Sequence, residues 1–118
     1  MFIVNGNDCS FENLTITNTT PAGGSQAEAV DIEGTRAIFY NMELDSYQDT
    51  FLVHSAGKLV YFQDGLIQGQ TDFNWGYGTV YYTNCEVRCT VSGGHVTQPR
   101  SPYTTNGFGF INCRITKG

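Results

Sequence analysis

At 118 residues the chain is the size of one domain, long enough to bury a core but short for most enzymes. Its formal net charge of −5, with only 6 Lys and Arg, excludes the basic stripe that nucleic-acid binding needs. No stretch approaches the roughly 20 apolar residues of a membrane-spanning helix, and the 14 Gly, 8 Phe and 7 Tyr among many Thr, Val and Ile read as all-β with short strands.

The opening residues, Met1 to Leu14, are too polar and too short for a signal peptide, so a secreted form would carry them after processing. The first structural signal is Phe11-Glu-Asn13-Leu-Thr-Ile16, which returns four times along the chain. The later copies are Phe39-Tyr-Asn41-Met-Glu-Leu44, Phe62-Gln-Asp64-Gly-Leu-Ile67, Tyr82-Thr-Asn84-Cys-Glu-Val87 and Phe110-Ile-Asn112-Cys-Arg-Ile115. Each has an aromatic, then Asn or Asp two later, then an aliphatic residue three beyond. The Asn/Asp positions are 28, 23, 20 and 28 residues apart, the length of one coil of a parallel β-helix.

The predicted fold is therefore all-β: one domain over residues 1–118, a right-handed single-stranded parallel β-helix of about five coils. Stacked coils stack equivalent residues, so one aromatic and one aliphatic column should line the core. An Asn/Asp ladder should mark a bend. The competing reading, a β-sandwich with accidental similarity among its strands, has to explain five matches in register. Between the first two copies, Ala27 to Ile32 alternates as a strand does. Of the two sequons, Asn13-Leu-Thr15 and Asn18-Thr-Thr20, the first sits in the ladder and should be inaccessible, leaving Asn18 as the acceptor. The four cysteines (Cys9, Cys85, Cys89, Cys113) form no CxxC pair and read as free thiols. With only His54 and His95 beside them, no metal site is expected. His54, in Val-His-Ser-Ala-Gly, is expected to line a turn.

No GxSxG, Walker or HExxH motif occurs. Two carboxylates stand out instead. Asp49 and Asp72 each lie eight residues past a ladder residue, which places them on neighbouring rungs about 5 Å apart. Carboxyls that close cannot both ionise freely, so one can keep a proton near neutral pH. Phe51, Phe73, Trp75 and Tyr77 are expected to flank them as an apolar, sugar-gripping cleft. Spacing alone leaves a pair of solvated turn aspartates equally open.

The segments Gln26-Ala-Glu-Ala-Val30, Tyr47-Gln-Asp-Thr50 and Thr71-Asp-Phe-Asn-Trp-Gly76 resemble successive signature motifs of pectin methylesterases. Phe39-Tyr-Asn41, Tyr61-Phe-Gln-Asp64 and Gly107-Phe-Gly-Phe-Ile-Asn-Cys-Arg-Ile115 match in order as well. The resemblance spans nearly the whole chain and covers the central part of the family's longer fold. It implies hydrolysis of pectin methyl esters, with Asp72 attacking the ester carbonyl and Asp49 protonating methanol and then activating water. Gln26 and Gln48 would help form the oxyanion hole, with no metal or organic cofactor. The implied partner is a polysaccharide, methyl-esterified homogalacturonan, outside the cell, with no nucleic acid and no membrane.

The family's arginine beside the nucleophile falls in a Gly-Arg-Pro-Trp motif after the coil that here ends at Ile115, and Arg100 lies before that coil. On this reading the chain is a shortened β-helix. Such a chain is expected to turn over slowly or to act only as a scaffold or saccharide-binding module. Its uncapped ends would favour self-association.

Overall fold

Each repeat segment forms one corner of a coil: a strand ending one residue past the aromatic, an Asn or Asp in the left-handed conformation, then a second strand. The φ angles at Asn13, Asn41, Asp64, Asn84 and Asn112 are 61°, 51°, 54°, 54° and 52°, a region that short polar side chains tolerate better than other non-glycine residues. The structure, a computed structural model, describes residues 1–24 and 26–118.

Three five-stranded sheets result, and among the described residues every strand pairing is parallel. Sheet 1 contains β1 (Phe2–Val4), β4 (Val30–Ile32), β7 (Phe51–Val53), β10 (Thr71–Gly76) and β13 (His95–Pro99). Sheet 2 contains β2 (Ser10–Glu12), β5 (Ala37–Tyr40), β8 (Leu59–Gln63), β11 (Thr79–Thr83) and β14 (Phe108–Ile111). Sheet 3 contains β3 (Thr15–Thr17), β6 (Glu43–Asp45), β9 (Leu66–Gly69), β12 (Glu86–Cys89) and β15 (Arg114–Lys117). The chain thus winds as a parallel β-helix of five coils. Among the described residues no helix is long and apolar enough to cross a membrane.

Both expected columns exist in register. Phe11, Phe39, Phe62, Tyr82 and Phe110 pair rung by rung in sheet 2, with near-parallel rings whose centroids lie 5.3, 4.7, 5.5 and 4.5 Å apart. Ile16, Leu44, Ile67, Val87 and Ile115 do the same in sheet 3. Burial follows position: the three middle members of each column are fully buried, whereas Phe11, Ile16 and Phe110 are half-buried and Ile115 is 65% exposed. An end rung has a neighbour on one side only, so its member of the column is not enclosed.

The corner ladder is real but interrupted. Asn41 Nδ2 donates to Asn13 Oδ1 at 2.8 Å, and Asn112 Nδ2 to Asn84 Oδ1 at 2.6 Å; Asp64 between them has no amide to pass on. Asn13 is nevertheless exposed, which corrects its expected inaccessibility, because ladder residues line the outer rim of the bend. Asn18, the expected acceptor, is half-buried. Its amide nitrogen donates to Glu28 O at 2.9 Å, while Oδ1 accepts from Thr20 N–H and Oγ1. All four cysteines are free, and Cys85 is buried one rung from Cys113.

Candidate active site

The sheet 1 strands reach the site through a second set of left-handed residues. Asp49 has φ 59° and Asp72 φ 48°, the left-handed conformation of the corner residues, which Asp tolerates better than most side chains. Gln48 pairs with Thr71, and Phe51 with Asn74, so Asp49 and Asp72 between them share one register. The Asp49 N–H donates to Thr71 O at 3.0 Å. The two aspartates therefore occupy adjacent rungs, about 4.8 Å apart along the stack.

Their left-handed turn resets the in-out alternation. After Asp49, both Thr50 and Phe51 are buried; after Asp72, both Phe73 and Asn74 are. Against β13, β10 carries an irregularity of register between Thr71 and Asn74, as a bulge does. Gly69 makes room for this: a Cβ there would come within 2.5 Å of Phe73 Cβ and 2.7 Å of Thr50 Oγ1. Phe51 and Phe73 consequently belong to the core at 0% exposure, which corrects their expected place in the cleft. Phe51 meets Phe62 edge-on at 5.0 Å. Trp75, half-buried with an unpartnered Nε1–H, and the exposed Tyr77 are the aromatics left to face a ligand.

Asp49 is 2% exposed, and its Oδ2 has no hydrogen-bond partner. Its pKa is raised to about 6, first by burial, then by the charges of Glu28 and Asp72; Arg100 opposes the shift. Asp72 is half-buried. Around the pair, Ser46 Oγ donates to Gln48 O at 3.1 Å and lies 3.0 Å from Thr50 Oγ1, which donates to Gln68 O at 2.9 Å. This buried chain holds the Gln48–Thr50 turn. Gln48 itself is half-buried and Gln26 is exposed in the segment leading to β4. Arg100 follows β13, with its N–H on Gly76 O at 2.7 Å.

Sequence reading missed the role of Glu28. Val30 pairs with Phe51, and the N–H groups of Ala29 and Val30 both donate to Thr50 O. Glu28 therefore lies on the rung beside Asp49, and Glu28, Asp49 and Asp72 form an acidic column over three rungs. The signal was available as spacing: Glu28 is one coil before Asp49. Glu28→Gln is expected to lower the Asp49 pKa from about 6 toward the ordinary carboxylate range, because one like charge is removed. Carbon-detected NMR titration of the Asp49 carboxyl checks this, and an unmoved pKa would leave burial and Asp72 as its only causes.

Comparison with known proteins follows the same outline. The family model described as Pectinesterase matches residues 1–117. "Pectinesterase 31" of Arabidopsis thaliana is 35% identical over 115 residues, which are 97% of this chain and 36% of that protein. The chain thus spans about a third of the length of that relative. The solved pectin methylesterase from Yersinia enterocolitica superposes with a TM-score of 0.88 at 31% identity, over 98% of this chain and 43% of its own. A pectin methylesterase solved in complex with a hexasaccharide gives 0.86 at 27% identity, over 98% and 40%.

Proposed function

The chain belongs to the pectinesterase family, and from that premise we propose that its aspartate pair hydrolyses methyl esters of polygalacturonate by covalent catalysis. The observation that carries this reading is the pairing on adjacent rungs of a half-exposed Asp72 with a buried Asp49 whose pKa is lifted to about 6. In the first half-reaction an Asp72 carboxylate oxygen attacks the ester carbonyl carbon. The bond to the methoxy oxygen breaks, and Asp49 gives its proton to the departing methoxide, releasing methanol. In the second, Asp49, now a carboxylate, takes a proton from a water molecule that attacks the acyl-enzyme. The galacturonate carboxyl leaves, and both aspartates return to their starting forms. The amides of Gln26 and Gln48 stabilise the oxyanion in both steps. Trp75 and Tyr77 offer ring surface to the sugar, as a polysaccharide ligand needs, and an extracellular setting belongs to the same reading.

Binding without turnover is the second reading. It is favoured by the absence, among the described residues, of any arginine in an ion pair with Asp72. Methanol release from highly esterified pectin by the 118-residue chain separates the two. Release is expected, with kcat/KM falling above about pH 6 as Asp49 loses its proton. Saccharide binding with no methanol at any pH would leave the binding module standing and remove the enzyme.

A further inference from the structure

Away from the aspartate pair, a second group of titratable side chains has no assigned task. Asp31 lies mid-strand in β4, in register with Leu52 on the next rung, and its side chain is only 8% exposed. Its Oδ2 lies 3.4 Å from His54 Nδ1, while Oδ1 is buried with no hydrogen-bond partner. A carboxylate in that condition is costly unless something else pairs with it. Among the described residues, no arginine or lysine forms an ion pair with Asp31 or Glu33.

The backbone brings Glu33 and His54 to the same spot. Glu33 follows β4, its N–H donating to Val4 O at 3.0 Å, and His54 follows β7, its N–H donating to Ile32 O at 2.9 Å. One ligand atom from each of Asp31, Glu33 and His54 lies within 4.8 Å of the others. Around a tetrahedral ion with bonds of about 2.0–2.2 Å, ligand atoms sit roughly 3.3–3.6 Å apart. The Asp31–His54 pair already has that separation, and the exposed Glu33 closes the rest by side-chain rotation.

We propose that Asp31, Glu33 and His54 form a binding site for a divalent first-row transition-metal ion such as zinc. The imidazole nitrogen favours such ions over calcium and magnesium, which prefer all-oxygen sites. Held through Oδ2, the cation would offset the charge of a buried carboxylate whose Oδ1 has no hydrogen-bond partner. Three protein ligands leave a further coordination position for water or an anionic ligand. Ester hydrolysis is not involved, since Asp49 and Asp72 contribute no ligand.

Isothermal titration of the 118-residue chain with zinc chloride, alongside thermal melting, tests the site. One ion is expected per chain, with a raised Tm. Asp31→Asn and His54→Ala are each expected to weaken binding at least tenfold, while His95→Ala binds as the parent does. Circular dichroism checks the fold, and the exposed His54 carries the test should Asp31→Asn not fold. No heat and no Tm shift in the parent would overturn the proposal. So would unchanged affinity in His54→Ala, or loss of binding on His95→Ala or on cysteine alkylation, either of which places the ion elsewhere.

Discussion

Asp72→Asn is expected to cut methanol release by at least about a thousandfold, about 4 kcal/mol of transition-state stabilisation. An amide at this position would lack the carboxylate proposed as nucleophile, so the proposed acyl-enzyme could not form, and only binding and the proposed oxyanion donors would remain. Asp49→Asn should cost about a hundred- to ten-thousandfold, the usual range for a general acid–base. The two substitutions act on one unit, so the double variant should lose little more than the worse single one. Their effects on stability should differ from their effects on rate. The folded state binds the Asp49 proton more tightly than the unfolded chain, so stability declines as pH rises from the ordinary aspartate range through about 6. Asp49→Asn removes that decline and should melt higher than the parent at pH 7.5, yet not at pH 4, where the folded parent keeps Asp49 protonated and as uncharged as the amide. Methanol assays and melts at the two pH values check both expectations. Parent-like turnover by Asp72→Asn would remove it as the nucleophile.

What the sequence made legible was whatever repeats once per coil. The columns headed by Phe11 and Ile16 are visible because side chains at one strand position face the same way on every rung. The Asn/Asp corner is visible because few other residues tolerate its left-handed backbone. Asp49 and Asp72 were found by the same arithmetic. Phe51 and Phe73 were misplaced because simple alternation continues through a strand, whereas the left-handed aspartates reset it and turn both rings into the core. Glu28 obeyed the coil spacing but was read only as part of a motif. The Asp31, Glu33 and His54 group is invisible to cysteine and histidine spacing. Here the ligands come from two rungs, brought together by a register that composition does not display. Arg100 lies in a segment with no repeat, and only the fold brings its charge near enough to oppose the rise in the Asp49 pKa.

The largest expected loss of stability lies in the middle of the aromatic column. Phe62 is fully buried, stacked on Phe39 at 4.7 Å and on Tyr82 at 5.5 Å, with the edge of Phe51 at 5.0 Å. Phe62→Ala removes contacts with three rings at once and leaves a cavity that fully buried neighbours cannot easily fill, a change worth about 3–5 kcal/mol. Against a total of about 5–15 kcal/mol for a domain, that is much of the stability. It corresponds to a Tm lowered by about 15 °C for a chain of this size. In a coil stack each rung holds only its neighbours, so the cost should fall toward the ends. Phe110→Ala, at a half-buried end position stacked only on Tyr82 within the column, should lose less than half as much. Tyr82→Phe supplies the opposite sign. The Tyr82 hydroxyl is buried without a partner, so its removal keeps the ring stack, relieves an unsatisfied polar group, and should be neutral or raise stability by about 1 kcal/mol. Urea melts of the three variants rank them. Equal losses at Phe62 and Phe110 would mean that the column is not the structural spine its register describes.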